Sequence, residues 1–188
     1  MTQPRGQLIV DKILDSANKL FYQQGYNATG INQIIEDAGI AKGSLYQHFE
    51  SKTDLLVGYI ELNHQAWLTR VRAHIDPIPD PKEKLLGIFD YHIARQQTRE
   101  HGGCPFIKAN DEAGMSDPRV LEAIQKVKQH SKRLIGELVV ASGHKKVVTD
   151  EELTELIFLM IEGGTTAASV FKTTADLQSA KQIIQKLI

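Results

Sequence analysis

Between Lys42 and Lys52 the chain reads KGSLYQHFESK, and its polar side chains suit one kind of chemistry. Leu45 and Phe49, four apart, mark the inner face of a short helix. Lys42, Gly43, Ser44, Tyr46, Gln47 and His48 are left facing outward. A basic end, a hydroxyl, a phenol, an amide and an imidazole can hold phosphates and read base edges. Gln47 is the strongest base-reading candidate, because a carboxamide pairs with adenine N6 and N7 together. The same pattern also fits a plain helical hairpin with a polar surface.

A second set of reactive side chains lies around Cys104, the one cysteine. The thiol has three readings. It can be a small buried hydrophobe. It can be a thiol sensor, since a helix N-terminus raises thiolate content. It can be a metal ligand with His101, in His-x-x-Cys, and His92. No second pair is spaced to complete a zinc or copper site, so no metal and no cofactor is expected. A Cys104–His nucleophilic pair has no oxyanion device or flanking signature beside it, so an enzyme is not expected.

The outward-facing residues need a scaffold. Ile34, Ile35 and Ala38 give the preceding segment an apolar face, Gly39 breaks it, and Ile40 plugs the joint. Helix, tight turn and helix over Thr29–Leu56 form a helix-turn-helix. Upstream, Ile9, Ile13, Ala17, Leu20 and Phe21 make one stripe of a helix over residues 7–24, ended by Gly25. Downstream, Ser51 and Asp54 form a capping box that opens a long helix to about His74. The breaker DPIPDP (76–81) follows, then a helix to about Arg99. A short helix is expected from Cys104–Pro105 to about Ala113, and a long one from Asp117–Pro118 to about Ser142. The last two run over residues 151–171 and from Thr174 or Asp176 onward. No stretch alternates at period two, so the expected fold is all-α, about nine helices.

The string AGIAKGSLYQHF (38–49), followed by ESKTDLL, resembles the tetracycline-repressor (TetR) family of bacterial transcription regulators. The likeness extends upstream through Ile9, Ile13, Ala17, Leu20, Phe21, Gly25, Tyr26 and Thr29. It covers roughly the first 60 residues. It implies a three-helix DNA-binding head, residues 1–52, and a larger helical ligand-binding and dimerisation body, residues 53–188. The implied function is that of a repressor: a homodimer on a palindromic double-stranded operator, released by a small-molecule effector. By the resemblance Thr29, Tyr46, His48 and Lys52 mostly hold phosphates. Ala41 departs from the pattern, where the family usually has Ser or Thr; alanine forgoes a cap of roughly 0.5–2 kcal/mol. The segment GCPF (103–106), followed by Ala109 and Asp111–Glu112, is similar to one group of TetR-like bodies, in which it borders the ligand cavity. The candidate cavity residues are Trp67, Tyr91, His92, Arg95, Cys104, Phe106, Asn110, Phe158 and Glu162. Two alternatives stay open: a thiol- or redox-sensing regulator acting through Cys104, and a helical dimerisation module that does not bind DNA.

Composition is consistent with this reading without carrying it. The 188 residues are 41% hydrophobic and 24% charged, with net charge −1. Residues 1–52 balance five cations (Arg5, Lys12, Lys19, Lys42, Lys52) against five anions (Asp11, Asp15, Glu36, Asp37, Glu50). That counts against a large non-specific affinity for nucleic acid, which needs many phosphate contacts, and leaves open a dimer that places its few cations well. No run of about 18 apolar residues and no signal-peptide core is visible, so a cytoplasmic protein without a membrane partner is expected. The apolar helix at 151–171 and the apolar end Ile183, Ile184, Leu187 and Ile188 are expected to build the dimer, with Gly163–Gly164 and Ala167–Ala168 permitting close approach.

Overall fold

A computed structural model describes residues 5–145 and 147–188. Among them are nine α-helices and no strand: α1 (Arg5–Gln24), α2 (Ile31–Ala38), α3 (Lys42–Tyr46), α4 (Lys52–Ile75), α5 (Pro81–Thr98), α6 (Pro105–Ala109), α7 (Pro118–Ser142), α8 (Asp150–Phe171) and α9 (Ala175–Leu187). A π-helical turn, Asn110–Gly114, follows α6. The boundaries follow local chemistry. Gly39, with φ +62°, closes α2, and its N–H reaches the carbonyls of Glu36 and Ile35. Ser51 Oγ accepts from the N–H of Asp54 at 3.1 Å and starts α4. Asp80 caps α5 through the N–H groups of Lys82 and Glu83, with Pro81 in the first turn. Thr149 and Glu152 form a reciprocal capping box on α8.

Two expectations change. The second helix of the hairpin, read as 42–49, is regular only over Lys42–Tyr46. Its cap residue Ala41 makes no side-chain hydrogen bond. The short helix expected to run from Cys104–Pro105 to about Ala113 is α-helical only to Ala109 and then widens into the π turn.

The chain packs as two compact units. One gathers the chain up to Ala66 with Pro105–Lys126; the other holds Trp67–Cys104 and Val127–Ile188. In the first unit, Ile13, Ala17 and Phe21 of α1, Ile34 of α2, Leu45 of α3 and Leu55, Leu56, Tyr59 and Ile60 of α4 are buried. Phe21 meets the edge of Tyr59 with centroids 5.4 Å apart. Asn63 on α4 donates to Asn18 Oδ1 on α1 at 2.9 Å. The segment 105–126 is tied to the rest of this unit by two carboxylates. Glu112 Oε2 accepts from the N–H of Asn27 at 2.6 Å, and Asp54 pairs with Arg119. Gly25, at φ +86°, lies so close to Glu112 that a Cβ there would come within 2.6 Å of its Oε1.

In the second unit, Val71 and Ile75 of α4, Leu85, Phe89 and Tyr91 of α5, Leu134 and Val139 of α7, and Leu153, Ile157 and Ile161 of α8 share one core with Ala180, Ile184 and Ile188 of α9. Helix α8 is long and apolar enough to cross a membrane by length and composition, with mean hydropathy 1.2 over its most apolar window. Its inner residues Leu153, Ile157, Ile161, Gly164 and Ala168 are buried in the chain. Gly164 admits α9 closely: a Cβ would come within 2.7 Å of Leu177 Cδ2. Gly163 beside it faces open space. The glycine pair therefore divides its work, one residue serving the intrachain contact. Most of the apolar C-terminus is covered likewise, with Ile184 and Ile188 buried and only Ile183 exposed.

Candidate functional site

The α2–α3 pair presents a compact polar surface. Lys42, Gly43, Tyr46, Gln47 and His48 are exposed and Ser44 is half-buried, all carried over the fully buried Leu45. Gln47 and His48 lie just past the regular turn of α3. They stay coiled because their N–H groups reach Gly43 O at 3.1 Å and Leu45 O at 3.0 Å. Phe49 N–H also reaches Leu45 O, at 2.9 Å. The polar edge thus extends past the end of the regular helix.

Thr29 and Lys52, expected on phosphates, both make contacts within the chain. Thr29 is fully buried, and its hydroxyl donates to Gly25 O at 2.6 Å. Its side chain sets the entry to α2, where Gln33 reaches back to the N–H of Gly30 at 2.7 Å. Lys52 is half-buried with its ammonium 4.1 Å from the centre of the Tyr26 ring, a cation–π contact. Burial pushes its pKa down, and the nearby Glu112 carboxylate opposes that shift. Lys19 pairs with Asp37, so one more head cation is locally neutralised.

The candidate cavity residues separate into groups. Trp67 belongs to the core of the second unit, with Phe158 packed at its edge and Lys132 5.8 Å over the Phe158 ring. Phe106 and Asn110 belong to the first unit, where Asn110 Oδ1 sits against Gly114 in the π turn. Cys104 and Glu162 meet through Lys128, whose ammonium lies 2.5 Å from Glu162 Oε2 and 3.5 Å from Cys104 Sγ. Gln96 holds this corner: its amide accepts from Gly103 N–H at 3.1 Å and donates to Gly103 O at 3.5 Å. Tyr91 and Arg95 line a cavity of about 310 Å³ with Arg70, His74, Thr98 and Arg99. Arg70 and Arg99 are not among the residues that the sequence singles out. A signal is nonetheless present in spacing, since Tyr91, Arg95 and Arg99 recur every four residues on α5 and its end, and Arg70 and His74 do so on α4. Among the described residues no group of three or more His, Cys, Asp or Glu gathers as a metal site.

His92 sits next to this cavity with its ring 5.4 Å from that of Tyr91. Burial, then the positive charges of Arg95 and Lys128, hold its pKa at about 3, against an ordinary 6.5. The folded state therefore keeps a neutral imidazole that the unfolded chain protonates below 6.5. Stability from this group is full above pH 6.5 and falls as pH drops toward 3. Chemical denaturation at pH 6.5 and pH 5 is expected to show a loss of about 2 kcal/mol from His92, at about 1.4 kcal/mol per pH unit. The variant His92→Gln should shed that part of the acid slope; an unchanged slope would show that other groups cause it.

Comparison with known proteins gives a consistent picture. The profile of "Bacterial regulatory proteins, tetR family" matches residues 13–58. The chain is 31% identical to the HTH-type transcriptional regulator YxaF of Bacillus subtilis, over 82% of this chain and 81% of that one. It is 34% identical to the HTH-type transcriptional repressor KstR2 of Mycobacterium tuberculosis, over 64% of this chain and 60% of that one. A TetR-family transcriptional regulator from Agrobacterium tumefaciens shares the fold, with a TM-score of 0.81 at 19% identity, over 97% of this chain and 98% of that one.

Proposed function

This chain belongs to the tetR family of bacterial regulatory proteins and is a DNA-binding transcriptional regulator, not an enzyme; on that premise we propose that it binds a palindromic operator as a homodimer and is released by a small molecule held in its body. The observation that carries the DNA reading is the exposed edge of Lys42, Gly43, Tyr46, Gln47 and His48, raised on α3 over buried Leu45. The near-neutral head makes few phosphate contacts, so affinity depends on two heads acting together. A two-fold dimer sets two such helices about 34–36 Å apart, one turn of DNA. Repression rests on the likeness to KstR2, which is a repressor by name.

The homodimer reading draws on α8. Its outward side carries Leu159 (57% exposed), Gly163, Thr166 and Val170 (66% exposed), spaced along one stripe, with Phe171 (69% exposed) at its end. An apolar stripe of this kind is costly in water and is satisfied by the same stripe on a second copy. The effector reading draws on the cavity lined by α4 and α5. Release then follows from coupling: ligand and operator weaken each other by the same factor, typically about 5–150-fold.

Fluorescence anisotropy with DNA from the chain's own promoter tests the recognition surface. Gln47→Ala is expected to lose discrimination at one base pair per half-site, roughly 1–3 kcal/mol. Lys42→Ala should weaken all sequences alike and reduce the salt slope by about 1 per half-site. If both variants bind like the parent chain, this edge does not enter the groove.

A second reading concerns Cys104, favoured by the Lys128 ammonium 3.5 Å from its sulfur. A thiolate formed there has a charged hydrogen-bond donor at hand, the setting in which peroxide makes a sulfenic acid. Peroxide should lower the operator affinity of the parent chain and not of Cys104→Ser. Identical responses make the thiol structural.

A further inference from the structure

The cavity lined by α4 and α5 is unusual in its charge. Its wall contains three arginines, Arg70, Arg95 and Arg99, with His74 and Tyr91, and no carboxylate. Tyr91 is 7% exposed, and its hydroxyl is buried without a hydrogen-bond partner. A buried hydroxyl left unmatched is costly, so such groups are normally paired. Arg95 is half-buried beside it. Burial lowers the pKa of Arg95, and the neighbouring cations of Arg99 and Arg70 push it the same way. Half-buried Arg95 and exposed Arg70 face one pocket beside the buried Tyr91 hydroxyl, a set that suits an anion joining them.

A second groove on the same unit is a useful contrast. It is larger, about 720 Å³, and is lined by Lys132, Arg133, Gly136 and Glu137 among others. There Lys132 pairs with Glu155, and Glu137 with Arg72 at 3.6 Å. No Asp or Glu is among the residues that line the α4–α5 cavity, where Arg70 and Arg95 lie beside Tyr91.

We propose that this cavity binds an organic anion, a carboxylate or phosphate head held by Arg95 and Arg70 with the Tyr91 hydroxyl donating, and a small apolar body lying against Tyr91 and Ala94. The inference deepens the effector reading above and rests on it only for the consequence at DNA. A guanidinium is suited to the task, because its planar fork meets both oxygens of a carboxylate or phosphate at once. The volume, near the lower end of small-molecule sites, fits a one-ring or short-chain acid.

The test is isothermal titration of the full chain with benzoate, octanoate and phenyl phosphate, and with benzamide and octanamide as uncharged counterparts. At least one anion is expected to bind saturably, and its amide at least tenfold more weakly. Tighter binding of phenyl phosphate than of benzoate assigns a phosphate head; the reverse assigns a carboxylate. Arg95→Gln should weaken the anion tenfold or more and Tyr91→Phe several-fold, while Arg133→Gln in the other groove leaves it unchanged. Arg70→Gln, at an exposed position, gives the same readout if Arg95→Gln fails to fold. The proposal is overturned if no anion of the panel binds, if the amides bind as tightly, or if Arg95→Gln and Arg70→Gln both bind normally. Operator affinity separates the two levels. An anion that binds through Arg95 without changing operator affinity upholds the site and removes the effector reading. An amide that binds equally and releases DNA upholds the effector reading and removes the anion.

Discussion

Aspartate at Ile184 is expected to leave the chain without a cooperative unfolding transition. Ile184 is fully buried in the core shared by α5, α8 and α9. Removing its side chain alone costs about 2–5 kcal/mol. An unpaired carboxylate left in that core adds several kcal/mol more. The sum is comparable to the whole stability of an ordinary domain, about 5–15 kcal/mol. Its neighbour Ile183 is 46% exposed, and Ile183→Asp should melt within a few degrees of the parent chain. Thermal unfolding followed by circular dichroism reads both variants. A normally melting Ile184→Asp would mean that α9 does not pack as described.

The dimer prediction has the largest functional effect. Leu159→Asp combined with Phe171→Asp changes two of the most exposed apolar positions of α8 and touches no buried residue of the core. The folded monomer should keep its melting behaviour to within about 1 kcal/mol, as surface changes usually do. In a two-fold interface each carboxylate meets its own symmetry mate or an apolar partner, so association should fail. Operator affinity should then fall by more than about 100-fold, since one head loses the effective concentration supplied by the other. Sedimentation velocity and anisotropy measured together decide it. A parent chain that sediments as a monomer at micromolar concentration, or a double variant that still dimerises, refutes the α8 interface.

Much of the head is legible from its residues in order. Leu45 and Phe49 at four-residue spacing, Gly39 as a break and Ser51–Asp54 as a cap locate the polar edge of α3, because each depends on contacts within one turn of its own helix. Other parts are not legible in this way. Nothing local distinguishes Thr29 as a phosphate contact from Thr29 as a buried hydroxyl on Gly25 O; the packing of α1 against α2 makes the difference. Lys52 reads as a surface cation until Tyr26 lies beneath it and Glu112, 60 residues later in sequence, comes within electrostatic reach.

Periodicity, caps and breakers act over about three to four residues, so the order of residues was enough to dictate the helical class, most helix ends and the polar edge of α3. The family likeness is also local, since it resides in one contiguous string. Packing between helices, in contrast, settled which of two adjacent residues turns inward. Ile183 and Ile184, or Gly163 and Gly164, are equivalent in composition and differ only in the phase of their helix against a neighbour. The same packing put Arg70 and Arg99, far apart along the chain, on one wall with Arg95 and Tyr91. Four-residue spacing marks one face of each helix, but which two faces meet, and the cost of gathering their charge, is set by burial and by what else lines the same space.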